Sequence, residues 1–179
     1  AAICTHVSNV FGFVLPVEEI AGLCRRRGVP FILDASQSAG CLPVRQEQLN
    51  AAFIAMPGHK GLYGPQGTGL LLCGEGQPEP LLEGGTGSLS ALQTMPDFLP
   101  DRLEAGTHNM PGIAGLLEGL RYVRSRGTEA ILRRERRLIR QAARGLAALP
   151  DLQVYEAENP VDQAGVLSFR VKGMDCEEV

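Results

Sequence analysis

Hydrophobic residues in the first part of the chain form short continuous runs, which are typical of strands buried on both faces. The chain opens on one such run, and others lie at 29–33, 51–56 and 69–73. Between the first two runs, apolar residues recur at helical spacing after Pro16, which predicts a helix that ends at Gly28. Strands that alternate with a helix in this way indicate an α/β layer on a largely parallel sheet.

Helical periodicity returns in the second half of the chain. Pro111 opens a predicted helix. Its apolar face comprises Ile113, Leu116, Leu117, Leu120 and Val123. Thr128 is placed to cap a second helix that runs to about Leu149, and Gly127 separates the two.

Two further strands and one long loop complete the pattern. Strands are expected at 152–155 and 165–171, in a different layer from the first sheet. The stretch 78–100 is rich in Gly, Ser and Pro, so we expect it to cross the surface as a loop. A second, smaller domain is expected to start near Ser125.

Composition and charge argue against several classes of protein. With 179 residues, of which 44% are hydrophobic, the chain can bury the core of one domain or one and a half. Its net charge of −3 argues against a nucleic-acid binder or a protein of anionic membranes. The one basic cluster, at 133–140, is interrupted by Glu135 and favours a solvated helix face. No apolar run approaches the ~20 residues of a membrane span, and no signal peptide is visible.

Cysteine and histidine usage favours a reduced protein without a metal site. The five cysteines show no Cys-x-x-Cys pairing or other spacing typical of metal ligands, and most lie among apolar residues. We therefore expect free thiols and a cytoplasmic location. The three histidines have no cysteine or carboxylate neighbours at ligand spacing, so no metal is expected.

Two polar segments follow buried strands and are the first candidates for chemistry. Asp34 ends one run, and Gly58-His59-Lys60 follows the next. In parallel sheets, ligand chemistry collects at the carboxyl ends of the strands. A lysine there is costly to bury unless its amine is used, and Schiff-base chemistry is one such use. From these residues alone, an aspartate cap and a surface lysine in a glycine-rich turn remain an alternative.

Four blocks of sequence occur in an order that resembles one enzyme family. The blocks are 5–9 (Thr-His-Val-Ser-Asn), 34–40, 58–69 and 102–107. Together they resemble the cofactor-binding core of class V aminotransferases, most closely the cysteine desulfurases, which are pyridoxal 5′-phosphate (PLP) enzymes of fold type I. The resemblance covers nearly the whole chain.

The resemblance implies a fold and a domain division. The expected fold is α/β, a PLP-dependent transferase-like large domain whose mostly parallel sheet is flanked by helices, followed by the start of a small α+β domain. Residues 1–124 would be the C-terminal half of the large domain, and residues 125–179 the beginning of the small one. The chain would then be an internal fragment, inactive alone. The substrate-binding arginine and the sulfur-accepting cysteine would lie outside it.

The resemblance also implies a role for each of six residues. Lys60 would carry PLP as a Schiff base and move the proton between the substrate and the cofactor. The cofactor-binding residues would be Asn9, Asp34, Gln37, His59, Lys60 and Thr107. Asp34 would pair with the pyridine nitrogen, while Gln37 and Asn9 would hydrogen-bond the neighbouring ring oxygen, Asn9 also reaching the substrate carboxylate. His59 would contact the cofactor phosphate. Thr107 would reach the phosphate bound in the partner subunit of a homodimer. Residues 85–87 are expected near the opening of the active site that the two subunits would share.

Three other residues stand at or near positions of the family's site without a clear match to its roles. Pro57 stands where many family members carry Ser or Thr, so one hydroxyl contact to the phosphate is missing. His6 matches a family position, but a packed histidine at a strand end explains it as well. Cys176 is a tempting nucleophile, although Asp175, Glu177 and Glu178 surround it and disfavour its thiolate. We interpret Cys176 as structural, next to an Asp175 that can cap a new helix.

The implied activity is removal of sulfur from L-cysteine, giving alanine and an enzyme persulfide that a sulfur-acceptor protein could receive. A selenocysteine lyase or an aminotransferase on the same scaffold is the nearest alternative, and a cysteine on a mobile loop beyond Val179 would distinguish the desulfurase. A non-catalytic interaction module is the alternative from another class. It predicts no cofactor absorbance.

Overall fold

The computed structural model describes residues 1–74, 78–89 and 91–177, and two sheets organise this part of the chain. The first sheet has the order β1-β2-β3-β4, with strands Ala2–Thr5, Phe31–Asp34, Phe53–Pro57 and Gly69–Cys73. The second pairs β5 (Leu152–Tyr155) with β6 (Ser168–Val171). The four α-helices of the described ranges are α1 (Val17–Arg27), α2 (Gln46–Leu49), α3 (Met110–Arg126) and α4 (Thr128–Ala147).

The first sheet is mostly parallel, as the hydrophobic runs predict. β1 pairs with β2 and β2 with β3 in parallel, whereas β4 runs antiparallel to β3. Thr5, Asp34 and Ala55 are register partners across the three parallel strands. The carboxyl ends of β1, β2 and β3 therefore lie along one edge, where the segments that follow them meet.

The helix α1 forms where its sequence pattern predicts it. Pro16 precedes its first residue, and Gly28 ends it in a left-handed conformation with φ 63°. A residue with a Cβ is strained at that φ, so glycine suits the position. Val17 and Ala21 are buried against the sheet, in one core with Phe31 of β2. The apolar face of α1 thus holds β2 in place.

The apolar face of α3 is narrower than the sequence predicts. Leu116 and Val123 are buried, whereas Ile113 and Leu117, on the same predicted face, are about half exposed. The buried residues lie on the side of α3 that meets the turn after β3, where a Cβ on Gly119 would overlap the carbonyl oxygen of Leu62.

The joint between α3 and α4 also differs from the prediction. Gly127 is the N-cap of α4, and Thr128 is its first residue, without a side-chain cap. The expected capping role of Thr128 is therefore wrong, because the helix starts one residue earlier than a cap at Thr128 requires. The expected domain boundary near Ser125 falls within the last turn of α3. The division into residues 1–124 and 125–179 stays a prediction.

The loop between β4 and α3 contains only a short 3₁₀ turn, Asp101–Leu103, in its described residues. Most of it is exposed, as predicted, although Thr86 and Met95 are buried beneath it. Among the helices in the described ranges, none is long and apolar enough to cross a membrane.

Candidate active site

The segments that follow β1, β2 and β3 leave the sheet side by side. The backbone N–H of His6 donates to the carbonyl of Asp34 at 2.9 Å, which extends the pairing of β1 with β2 by one residue. The N–H of Ala35 likewise donates to the carbonyl of Ala55 at 2.9 Å. Hydrogen bonds thus hold the strand ends together at the point where the candidate residues begin.

Asp34 is the last residue of β2 and is half-buried. Its Oδ1 accepts a hydrogen bond from the N–H of Ser36 at 2.9 Å, which orients the carboxylate at the sheet edge. The chain then turns, with the carbonyl of Ala35 accepting from the N–H groups of Ser38 and Ala39. Gln37 is half-buried on this turn, three residues from Asp34.

Lys60 lies on a tight turn after β3. The N–H of Gly64 donates to the carbonyl of Gly58 at 2.7 Å, and the N–H of Tyr63 donates to the carbonyl of Lys60 at 2.9 Å. The N–H of Gly58 donates to the carbonyl of Thr68 at 2.7 Å, which ties the turn to the start of β4. The turn therefore presents His59 and Lys60 on a fixed backbone.

A glycine contact joins the Lys60 turn to the turn after Asp34. A Cβ on Gly40 would overlap the carbonyl oxygen of Gly61, and a Cβ on Gly61 would overlap that of Ala39. Only glycine at both positions allows this approach. The structure thus brings the Asp34–Gln37 segment and the Lys60 turn together, as the sequence blocks predict.

The expected burial of Lys60 is wrong for this chain. Both His59 and Lys60 are exposed, because β3 ends at Pro57 and the turn carries them beyond the sheet. The described residues therefore leave the Lys60 side chain open to solvent.

Asn9 is exposed at the top of a turn that follows β1. The hydroxyl of Ser8 accepts hydrogen bonds from the N–H groups of Val10 (3.3 Å) and Phe11 (3.1 Å), and the carbonyl of Ser8 accepts from Gly12. This is the pattern of a serine-capped turn. Asn9 is thus presented at the same edge of the sheet as Asp34, one strand away.

Thr107 is exposed on the segment that leads into α3. On one side of it, the N–H of Gly106 donates to the carbonyl of Gly84 at 2.9 Å. On the other side, the side chain of Asn109 caps α3 by accepting from the N–H of Gly112 at 3.0 Å. Gly85 packs against Gly106, the residue before Thr107. The expected position of residues 85–87 near a site shared between subunits stays a prediction.

His6 is buried beside this edge, with 4% of its surface exposed. Burial lowers the pKa of its imidazole, and the nearby carboxylate of Glu18 opposes that shift. Its Nδ1 has no hydrogen-bond partner in the described part of the chain. This burial agrees with the interpretation of His6 as a packed histidine.

Two cysteines differ in their surroundings. Cys41 is buried, and burial, followed by the neighbouring Glu135, raises the pKa of its thiol to about 12, so the thiol stays protonated at neutral pH. Cys176 is exposed, with its Sγ 3.4 Å from Oδ1 of Asp175. A hydrogen bond from the N–H of Glu177 lowers the pKa of Asp175, so an anion faces the Cys176 thiol.

Residues 176 and 177 form a turn, and the rest of the helix that Asp175 is expected to cap lies outside the described residues. Oδ1 of Asp175 accepts from the N–H of Glu177 at 3.4 Å within that turn. Glu178, the third carboxylate expected around Cys176, lies outside the described residues.

Sequence reasoning missed Gln163, which contacts the Asn9 turn. Its side chain is buried, and Nε2 donates to the carbonyl of Phe11 at 2.8 Å. The sequence offers no signal for this role, because Gln163 stands between Asp162 and Ala164 outside any periodic pattern.

Comparison with known proteins identifies the family. The family described as Aminotransferase class-V matches residues 1–179. A curated relative from Pyrococcus abyssi, described as "Probable cysteine desulfurase", is 37% identical over 97% of this chain and 44% of its own length. The apo cysteine desulfurase of Thermococcus onnurineus NA1 superimposes with a TM-score of 0.84 at 36% identity, covering 96% of this chain and 44% of that one. A structure of SspA in complex with cysteine has a TM-score of 0.56 at 29% identity, covering 67% and 32%.

The chain therefore belongs to the class V aminotransferase family, and it resembles cysteine desulfurases in both sequence and fold. It spans less than half the length of these relatives. The predicted family and the predicted α/β fold are confirmed.

Proposed function

We propose that the protein containing this chain is a PLP-dependent cysteine desulfurase, which converts L-cysteine to alanine and leaves the sulfur as an enzyme persulfide. The observation that carries the proposal is the glycine contact between Gly40 and Gly61, which joins the turn after Asp34 to the turn of Lys60. Similarity to cysteine desulfurases over nearly the whole chain supports the substrate.

The chemistry of the side chains at this edge fits PLP. Asp34 offers a half-buried carboxylate for a protonated ring nitrogen, and Lys60 offers an exposed amine on a fixed turn. Gln37 and Asn9 carry amide donors suited to the ring oxygen, and His59 carries an imidazole suited to a phosphate. The ring nitrogen, the ring oxygen, the aldehyde and the phosphate thus each have one matching group in this chain, although Pro57 lacks the hydroxyl common in the family.

PLP supplies an electron sink for the pair of electrons left on the substrate carbon. In this proposal the Asp34 carboxylate keeps the ring nitrogen protonated, and the Lys60 amine binds the cofactor and then moves the substrate proton. Asn9 orients the substrate carboxylate. The thiolate of a cysteine elsewhere in the protein would attack the substrate sulfur, so that the S–S bond of the persulfide forms as the carbon–sulfur bond breaks. The electron pair of that bond stays on the carbon, which takes up a proton to give alanine, and a sulfur-acceptor protein would then receive the outer sulfur.

The proposal is tested with the full-length protein, supplied with L-cysteine, L-selenocysteine or a keto-acid amino acceptor. We expect alanine and a protein persulfide from L-cysteine, measured by amino-acid analysis and mass spectrometry. Preference for selenocysteine, or amino transfer without sulfur release, would assign the alternative activities. Absence of a bound-cofactor absorbance band would favour the non-catalytic module.

We also propose that the full-length protein is a cytoplasmic homodimer.

Thr107 is expected to act across the dimer interface. Mixing Thr107→Ala protomers with Lys60→Ala protomers should give heterodimers in which one site carries both defects and the other carries neither. We expect desulfurase activity to recover on mixing, toward half the parental rate per dimer, because only that arrangement restores an intact site. Proven heterodimers without recovery, checked by native mass spectrometry, would place Thr107 in its own subunit's site.

Cys176 is expected to be dispensable. Cys176→Ala in the full-length protein should retain parental turnover and thermal stability, because the exposed thiol faces the Asp175 carboxylate rather than a cation. We also expect residues 1–179 alone to bind PLP weakly and to release no sulfur. A persulfide mapped to Cys176, or lost turnover at unchanged stability, would contradict this interpretation.

A further inference from the structure

The turn that carries Asn9 is attached to a segment about 150 residues further along the chain. Three successive backbone carbonyls of this turn accept hydrogen bonds from that segment. The Ser168 hydroxyl donates to Val10, Nε2 of Gln163 donates to Phe11 at 2.8 Å, and the N–H of Ala164 donates to Gly12 at 2.8 Å. The Asn9 turn is therefore held by hydrogen bonds from the segment 163–168 as well as by its internal hydrogen bonds to Ser8.

Gln163 is the centre of this attachment. It is 5% exposed, and both the nitrogen and the oxygen of its side-chain amide are hydrogen-bonded. Nε2 also donates to the carbonyl of Val166 at 2.6 Å, while Oε1 accepts from the N–H of Ala157 at 2.8 Å. Because two carbonyls face one end of this amide and an N–H faces the other, Nε2 lies toward the carbonyls and Oε1 toward the N–H.

The surroundings leave Gln163 and the turn little freedom. Nε of Arg136, on α4, donates to the carbonyl of Gln163 at 2.9 Å and so holds its backbone. A Cβ on Gly12 would overlap the carbonyl of Val166, so the turn packs directly onto this segment. The ring of Phe11 also meets that of Tyr155 edge to face, with centroids 5.7 Å apart.

We propose that Gln163 is a positioning residue, which holds the Asn9 turn in the conformation that aims Asn9 at the cofactor ring oxygen and the substrate carboxylate. The inference rests on the proposed function, because it takes Asn9 as the group that acts. Gln163 touches neither ligand. Loss of its amide would release the carbonyl of Phe11, two residues from Asn9, and leave the N–H of the half-buried Ala157 without its partner.

The main variant is Gln163→Met in the full-length protein, because methionine keeps the length of the side chain and removes both donors and the acceptor. Gln153→Met, on the exposed face of β5, is the matched control. Ser168→Ala is the milder variant, because it removes only the hydrogen bond to the carbonyl of Val10. It replaces Gln163→Met in the test if that variant does not fold.

The first readout needs no cofactor. In the apo protein, Gln163→Met should speed amide hydrogen exchange of peptides covering residues 8–14, whereas Gln153→Met should leave it at the parental rate. The second readout is the cofactor-loaded enzyme. We expect kcat/KM for L-cysteine to fall roughly ten- to a hundredfold, and the absorbance maximum of bound PLP to shift as it does in Asn9→Ala.

A double-mutant cycle separates positioning from general destabilisation. In the Asn9→Ala background, Gln163→Met should cause no further loss of kcat/KM, because the group it positions is gone. Losses that simply multiply, or a Gln163→Met enzyme with parental spectrum and kcat/KM, would overturn the inference while leaving the proposed function intact. A parent protein that binds no PLP would overturn both.

Discussion

Replacing Lys60 by alanine in the full-length protein should abolish covalent attachment of PLP and lower turnover by several orders of magnitude. The amine of Lys60 is the nucleophile that binds the cofactor in the proposed mechanism, and alanine offers no substitute. Borohydride reduction followed by peptide mass spectrometry measures the attachment directly. The parent should carry a reduced adduct on the peptide with Gly58-His59-Lys60.

The chain offers a matched control for this substitution. Lys172 is its other lysine, and Lys172→Ala should retain both the adduct and the parental rate. Because the Lys60 turn is held by backbone hydrogen bonds, Lys60→Ala should leave the thermal unfolding midpoint of the apo protein nearly unchanged. A reduced adduct found on any other lysine would show that Lys60 is not the cofactor-bearing residue.

Replacing Asp34 by asparagine should leave PLP bound but lower turnover by roughly a thousandfold. An ion pair between the Asp34 carboxylate and a protonated ring nitrogen, at about 4 Å and an effective dielectric near 20, is worth about 4 kcal/mol before desolvation. If that amount is lost only in the transition state, it corresponds to about three powers of ten in rate. Single-turnover kinetics with L-cysteine would measure the chemical step.

Asparagine keeps the oxygen that accepts from Ser36, so the turn after β2 should keep its shape. Asp151→Asn is the matched control, because Asp151 is exposed and its positive φ of 62° suits asparagine. The control should keep parental turnover. An Asp34→Asn enzyme as fast as the parent would remove Asp34 from the mechanism.

Local sequence patterns predicted the elements that depend on local physics. The apolar runs located β2, β3 and β4 to within two residues, and Pro16 and Gly28 located both ends of α1. Ile113 and Leu117 share the predicted apolar face but are half exposed, because helical periodicity shows which residues share a face and not how much of that face is covered. That coverage depends on how α3 packs, with Gly119 against the carbonyl of Leu62.

The candidate residues were likewise recognised from their blocks, but the sequence overstated the burial of Lys60. A strand end was predicted correctly, yet the two residues between Pro57 and Lys60 carry the amine past the sheet. Exposure depends on which other segments cover a turn. The sequence of the turn alone does not show whether another segment covers it.

The sequence by itself determined the strands, the first helix, the family and the identity of the groups at the candidate site, because each depends on spacing and residue type within a short segment. Only the tertiary structure decided that Gly40 meets Gly61 and that Gln163 holds the Asn9 turn. Those contacts join residues far apart along the chain, and their geometry follows from how sheets and helices pack. A local pattern specifies the element, whereas the partner of a buried amide is set by the path of the whole chain.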